Sequence, residues 1–163
     1  MKSISHKQHG VVILEALIAI LIFSIGILGL IAMYANSTAQ VGDAQYRIEA
    51  ANHANQLMNE IWISADRRPD DLNLAASIAS FAYNTGGGAC VFAGGPPANQ
   101  FVTDLLTRVT APGTGLPGTT PAQVQVLLNP AQNNQVQITI CWQTPTDAGA
   151  GVFRNHVLVG NMS

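Results

Sequence analysis

The chain has 163 residues, of which 48% are hydrophobic and 10% are charged, an apolar composition for a single soluble domain. Its formal net charge is −2, and Arg67 and Arg68 are followed at once by Asp70 and Asp71, so the sequence contains no basic cluster. A nucleic acid partner is therefore not expected, because binding a phosphate backbone requires a basic surface.

The first predicted element is a basic segment followed by a long apolar run. Residues 11–34 are apolar at every position except four, namely Glu15, Ser24, Gly26 and Gly29. A helix over this range would be about 36 Å long, which is enough to cross a hydrocarbon core of about 30 Å. Lys2 and Lys7 precede it without an acidic partner, so the positive-inside rule places residues 1–10 in the cytoplasm and the remainder outside.

The second half of the same helix is predicted from a change in pattern after Tyr34. Apolar residues now recur at steps of three, four or seven, at Val41, Ala44, Ile48, Ala51, Met58 and Ile61. No proline occurs before Pro69, so nothing forces the helix to end early. We expect one helix from Val11 to Ile63, with a transmembrane half over 11–34 and an amphipathic half over 35–63.

Residues 64–163 contain all eight prolines and are predicted to form one extracytoplasmic domain. Helical spacing or strand alternation marks five segments: Leu72–Tyr83 and Phe101–Val109 as helices, and 124–128, 136–142 and 153–159 as strands. The third strand is predicted because Phe153, Val157 and Val159 are all at odd-numbered positions, which lie on one face of a strand. We therefore predict an α+β fold, in which an antiparallel sheet packs against the long helix and the two bury their apolar faces against each other. Two glycine- and proline-rich segments, Thr85–Gln100 and Ala111–Pro121, are predicted to be irregular surface connections.

The two cysteines, Cys90 and Cys141, both lie in the part predicted to be outside the cytoplasm. Thiols pair there when the geometry allows, so we predict a disulfide, with two separate buried thiols as the alternative. His53 and His156 are predicted to be a solvated helix position and a strand-surface position. Neither histidine has the neighbours of a metal site, and we expect no metal, no cofactor and no catalytic residue.

One motif carries a family resemblance. In Gly10–Ala19 a glycine ends the basic leader, and Glu15 interrupts an otherwise unbroken apolar run. This pattern resembles the type IV prepilin signature. The resemblance implies that an inner-membrane prepilin peptidase cuts between Gly10 and Val11 and methylates the new Val11 amine. It also implies that Glu15, the fifth residue after the cut, pairs with the N-terminus of an adjacent subunit in the filament.

A more specific resemblance covers Leu21–Leu30, which is similar to the group of minor pilins known as the type IV pilus modification protein PilV. Gln137–Trp142 is similar to the same group, but more weakly. It implies a minor pilin that assembles, primes or caps a pilus. The implied partners are other major and minor pilins, contacted through the N-terminal helix, together with the prepilin peptidase and the inner-membrane assembly platform. The implied location is the inner membrane, with the C-terminal domain in the periplasm, followed by incorporation into an extracellular pilus.

Four alternatives remain open. A minor pseudopilin of a type II secretion system has the same leader, helix and sheet. An ordinary signal peptide cut before Gln40, or an uncleaved anchor, gives no reason for Glu15, and the apolar run is too long for a signal peptide. A periplasmic enzyme or binding module tethered by a signal anchor would need a convergent polar pocket within 64–163.

Overall fold

The protein has an α+β fold, as predicted, with a long N-terminal helix and a small antiparallel sheet, an arrangement consistent with a pilin-like fold. The computed structural model describes residues 9–66, 71–145, 147 and 149–162. Most of the predicted leader and the Arg67–Asp70 segment lie outside these residues. The described α-helices are α1 (His9–Ser64), α2 (Asp71–Ile78) and α3 (Gln100–Val109), and short 3-10 helices cover Ala79–Phe81 and Pro121–Gln123. The strands are β1 (Gly86–Gly88), β2 (Val91–Ala93), β3 (Val124–Asn129), β4 (Gln135–Trp142) and β5 (Arg154–Asn161).

Helix α1 begins two residues before the predicted start at Val11 and ends one residue after the predicted end at Ile63. The chain divides after Gly42 into two units. In the first unit every residue over 11–38 is exposed, and the helix includes a stretch with a mean hydropathy of 2.9. By length and composition, α1 is therefore able to span a membrane.

The second unit is organised around a three-stranded antiparallel sheet with β4 in the centre. Val126 pairs with Ile138, which in turn pairs with Leu158. Alternate residues of these strands face α1, and at Gly160 a β-carbon would lie 3.1 Å from the Met58 sulfur. The glycine therefore allows the helix to approach the sheet closely.

The buried stripe of α1 differs from the predicted one. Val41, Ala44 and Ile48 are exposed, and of the predicted set only Met58 and Ile61 are buried. The core face is instead formed by Ala50, Ala54, Leu57, Met58 and Ile61. Alanines give a weak hydrophobic signal in the sequence, but their small side chains fit where a helix lies close to a sheet.

Strand β5 is present where the sequence predicts it, and the residues that predict it lie on the face turned away from α1. Val157 and Val159 are 44% and 49% exposed. The residues at even-numbered positions of β5, which include Leu158 and Gly160, face the helix.

The segment Thr85–Gln100 is not wholly irregular, because it contains the β1–β2 hairpin. Gly86 pairs with Ala93 and Gly88 pairs with Val91. The three consecutive glycines favour a loop, but the segment forms a hairpin, and a disulfide ties the turn of this hairpin to β4. The other predicted loop has no helix or strand over 111–120, as expected.

Candidate functional site: a carboxylate on an exposed apolar helix

Gly10, Val11 and Glu15 all lie near the start of α1. Val11 and Glu15 are four residues apart, so their side chains share one face of the helix. Val11 is 62% exposed, and Glu15 is exposed as well. The structure thus places the predicted cleavage site and the predicted assembly carboxylate on the same accessible surface.

Glu15 makes no hydrogen bond or ion pair with any described residue. The positions three and four residues away on its own helix are Val11, Val12, Ile18 and Ala19, and all four are apolar. The helix therefore supplies no partner for this charge. Placing a carboxylate at the centre of a bilayer costs about 2.5–3.5 kcal/mol on insertion scales.

Cys90 and Cys141 form the disulfide predicted from the sequence, with a Cα–Cα distance of 5.8 Å. Both cysteines are buried, and they pack with Phe92 and the half-buried Phe153 in a small cluster separate from the main core. The bond ties the β1–β2 hairpin to β4. It is thus placed to hold a short two-stranded hairpin, an element that is only marginally stable by itself.

An ion-pair network that the sequence did not predict connects α1 to the sheet. The Arg154 guanidinium lies 3.3 Å from Asp43 on α1 and 3.1 Å from Asp147 in the loop before β5. The Thr144 hydroxyl donates a hydrogen bond to Asp147, and this bond, together with Arg154, lowers the pKa of the Asp147 carboxyl. Asp43 and Arg154 are 111 positions apart in the chain, so no local pattern could have indicated the pair.

His53 is not the solvated position that was predicted. Its side chain is 15% exposed and lies 3.8 Å from Glu49. Burial lowers the pKa of His53, and the nearby Glu49 carboxylate opposes this shift only in part. His156 is half-buried on β5, with its Nε2 atom buried. Among the described residues, no group of three or more His, Cys, Asp or Glu side chains converges on a position where a metal could bind.

The described residues define an α+β protein with one helix suited by length and composition to cross a membrane. No family model, no curated protein and no solved structure matches the chain.

Proposed function

We propose that this protein is a minor pilin of a type IV pilus, held in the inner membrane by residues 11–34 until it joins the filament or its tip complex. The observation that carries the proposal is Glu15, a carboxylate that has no partner among the described residues and that lies in the exposed and otherwise largely apolar segment 11–34. An anchor that only holds a domain at the membrane gains nothing from this charge.

Cleavage between Gly10 and Val11 would create the missing partner. The new Val11 amine is a cation, and it lies on the same helix face as Glu15. Each mature helix would then carry a positive and a negative group four residues apart. A parallel neighbour shifted along the helix axis can place its amine against Glu15, which neutralises both charges and sets the axial register of the two subunits.

The remaining surface of this segment fits the same role. Phe23, Leu28 and Tyr34 are 68%, 67% and 74% exposed, and apolar residues cover all sides of the helix. A helix that is apolar on every side is buried either in lipid or among other helices. In a filament outside the membrane, helices of neighbouring subunits would cover this surface.

The Glu15→Ala variant tests the proposal. Removing the charge lowers the cost of insertion, so the variant is expected to accumulate in the inner membrane, processed and folded. In a filament the same change leaves the neighbouring amine unpaired, which costs about 3–5 kcal/mol for a buried pair. We therefore expect at least a roughly tenfold loss of the protein from sheared pili, measured by blotting membrane and sheared fractions.

Glu60→Ala is the matched control, because Glu60 lies on the same helix but in the second unit, outside the apolar segment. This variant is expected to enter pili as the wild type does. If Glu15→Ala enters pili equally well, the assembly role of Glu15 is wrong. If deleting the gene impairs protein secretion and leaves piliation unchanged, the protein is instead a pseudopilin.

A further inference from the structure

The two edges of the three-stranded sheet differ in how their backbone groups are used. At the β3 edge, Tyr83 and Val126 exchange two backbone hydrogen bonds, at 3.0 and 2.9 Å. The side-chain amide of Asn84 donates a further hydrogen bond to the Val124 carbonyl at 2.9 Å. The chain itself therefore closes part of this edge. The opposite edge of the sheet is β5.

The hydrogen-bond pattern fixes which backbone groups of β5 point away from the sheet. The Met162 N–H donates to the Asn134 carbonyl, in the position that continues the β4–β5 ladder. In an antiparallel ladder, residues that bond to the neighbouring strand alternate with residues whose N–H and C=O point the other way. Counted back from Met162, the outward-pointing groups belong to the odd-numbered positions of β5. These are Asn155, Val157, Val159 and Asn161.

We call these four outward-pointing positions the β5 edge. Among the described residues, none forms a backbone hydrogen bond with them, and their side chains are exposed as well. Natural edge strands are usually blunted by a proline, a lysine, a bulge or a short length. Strand β5 contains no proline and no lysine, and its pairing with β4 is unbroken over eight residues. Its arginine, Arg154, is held in ion pairs with Asp43 and Asp147. The edge is therefore open to another strand.

We propose that the β5 edge binds an extended segment of another polypeptide, which adds a fourth strand to the sheet. In this mode of recognition, backbone hydrogen bonds give affinity and alternate side chains give specificity. The side chains of the added strand on the outer face would lie beside Val157 and Val159 in the middle, and beside Asn155 and Asn161 at the ends. The edge therefore fits an uncharged segment of about seven residues, with apolar, β-branched side chains at alternate central positions.

The sequence of β5 is itself an example of such a segment. Its odd-numbered positions read Asn, Val, Val, Asn in both directions about Leu158. In an antiparallel strand of the same sequence centred on Leu158, Val157 would lie opposite Val159, and Asn155 opposite Asn161. Every outward-pointing residue then faces another outward-pointing residue, as backbone pairing requires. The edge is therefore complementary to its own sequence, which supplies a probe.

A second copy of the whole chain is not the partner that we infer. Two β5 edges pair antiparallel about a two-fold axis perpendicular to the sheet. Because α1 lies on one face of the sheet, this axis would also reverse the direction of the helix. Two chains anchored in one membrane by the same end of α1 run in the same direction. Only this exclusion rests on the membrane anchor of the proposed function, and the open edge does not depend on it.

A synthetic peptide with the sequence of Arg154–Asn161 tests the edge. The full-length protein is purified in detergent, and binding of the fluorescently labelled peptide is followed by anisotropy. Two further peptides keep every side chain and differ only in the backbone edge that is blocked. N-methylation at the positions of Val157 and Val159 removes two pairing donors and is expected to weaken binding at least about tenfold. N-methylation at the positions of Leu158 and Gly160 blocks the other edge of the peptide and should leave binding unchanged.

A pair of protein variants locates the binding at β5. Val157→Pro removes an outward N–H and leaves the bonds to β4, because an edge strand tolerates proline where its N–H faces solvent. We expect it to weaken binding of the unmodified peptide at least about tenfold. Val157→Thr keeps the N–H and the β-branched side chain, and this matched control should bind as the wild type does. Thermal unfolding checks the fold of both variants, and if Val157→Pro unfolds, the two methylated peptides decide the question on the wild-type protein.

Two results would overturn the inference: no saturable binding of the unmodified peptide, or equal binding of the two methylated peptides. A dimer of the full-length chain that excludes the peptide and is lost in Val157→Pro would overturn the choice of partner, because a second copy would then occupy the edge. The measurement needs no pilus. Its failure would leave the assembly role of Glu15 untouched, and a failure of the Glu15→Ala experiment would leave the β5 edge untouched.

Discussion

His53 lies on α1 where the helix begins to be covered by the rest of the second unit. Burial disfavours the charged imidazolium and lowers the pKa of His53 below its usual value of 6.5. The Glu49 carboxylate raises this pKa, while the Arg108 guanidinium lowers it further. Because the folded pKa is lower than the unfolded one, the unfolded chain binds more protons as the pH falls, and the native state loses stability.

A pH dependence of unfolding follows from His53. We expect the free energy of unfolding to decrease as the pH falls through 6.5 and to level off below the folded pKa of His53. His53→Gln, which cannot take up a proton, should remove this decrease. Thermal unfolding of the detergent-solubilised protein between pH 5 and 7, followed by near-ultraviolet circular dichroism, measures both proteins.

Asp147 serves as the control for this experiment, because its effect falls in a different pH range. Its folded pKa is lowered from the usual 3.8, so the stability it contributes is present above that value and is lost only at lower pH. Asp147→Asn should therefore leave the slope between pH 5 and 7 unchanged. An equal slope in the wild type and His53→Gln would mean that His53 is not the group responsible.

At the level of elements, the β1–β2 hairpin contains backbone that its sequence does not favour. Ala89 and Cys90 form its turn with φ angles of 49° and 63°. Positive φ at both central residues is typical of type I′ turns, where asparagine and glycine predominate. An L-residue in this left-handed region costs about 1–2 kcal/mol. The disulfide at Cys90 ties this turn to β4, which offsets part of that cost.

The Ala89→Gly variant should relieve this strain. Glycine adopts positive φ freely but has about 0.5–1 kcal/mol more conformational entropy to lose on folding than alanine. We expect a net stabilisation of about 0.5–1 kcal/mol, measured by thermal unfolding under oxidising conditions. Ala93→Gly, an exposed position in the same hairpin without positive φ, is the matched control and should destabilise the protein by a similar amount. The same sign of change in both variants would contradict the strain at Ala89.

The elements differ in how far the sequence predicts them. Strands β3 and β4 were predictable because apolar and polar residues alternate along them in the periods that a half-buried sheet requires. The hairpin was not predictable, because its first strand consists of three consecutive glycines, which favour a loop. Along α1, Val41 and Ile48 gave a strong apolar signal on the exposed side, whereas Ala50 and Ala54 gave a weak signal on the buried side.

Some residues of the candidate site were also predictable from the sequence, and others were not. Glu15 is recognisable in the sequence because a carboxylate in an apolar run is costly, and the disulfide because only two cysteines are present. The burial of His53 and the pairing of Arg154 with Asp43 depend on contacts between residues far apart in the chain. Local periodicity carries no information about such contacts.

Across the whole molecule, the basic residues are distributed unevenly along the chain. Both lysines, Lys2 and Lys7, lie before Gly10, and every later basic charge is an arginine. If the leader is removed, five arginines minus nine acidic residues gives a net side-chain charge of −4. In the proposed topology, the cut would remove the two lysines that favour a cytoplasmic N-terminus and would leave an acidic mature protein.

Cleavage after Gly10 has a direct readout, because it would remove both lysines of the chain. In cells with an active prepilin peptidase, mass spectrometry of the membrane fraction should find a chain that starts at Val11, carries a methyl group on its terminal amine and contains no lysine. A strain without the peptidase is the control, and there the chain should keep Lys2, Lys7 and its original N-terminus.

The same measurement separates the alternatives, since an ordinary signal peptide predicts a start at Gln40 and a permanent anchor predicts an uncut chain. Because the Val11 amine is the only cation that processing would create within the apolar helix, a mature chain starting anywhere else would also remove the proposed partner of Glu15.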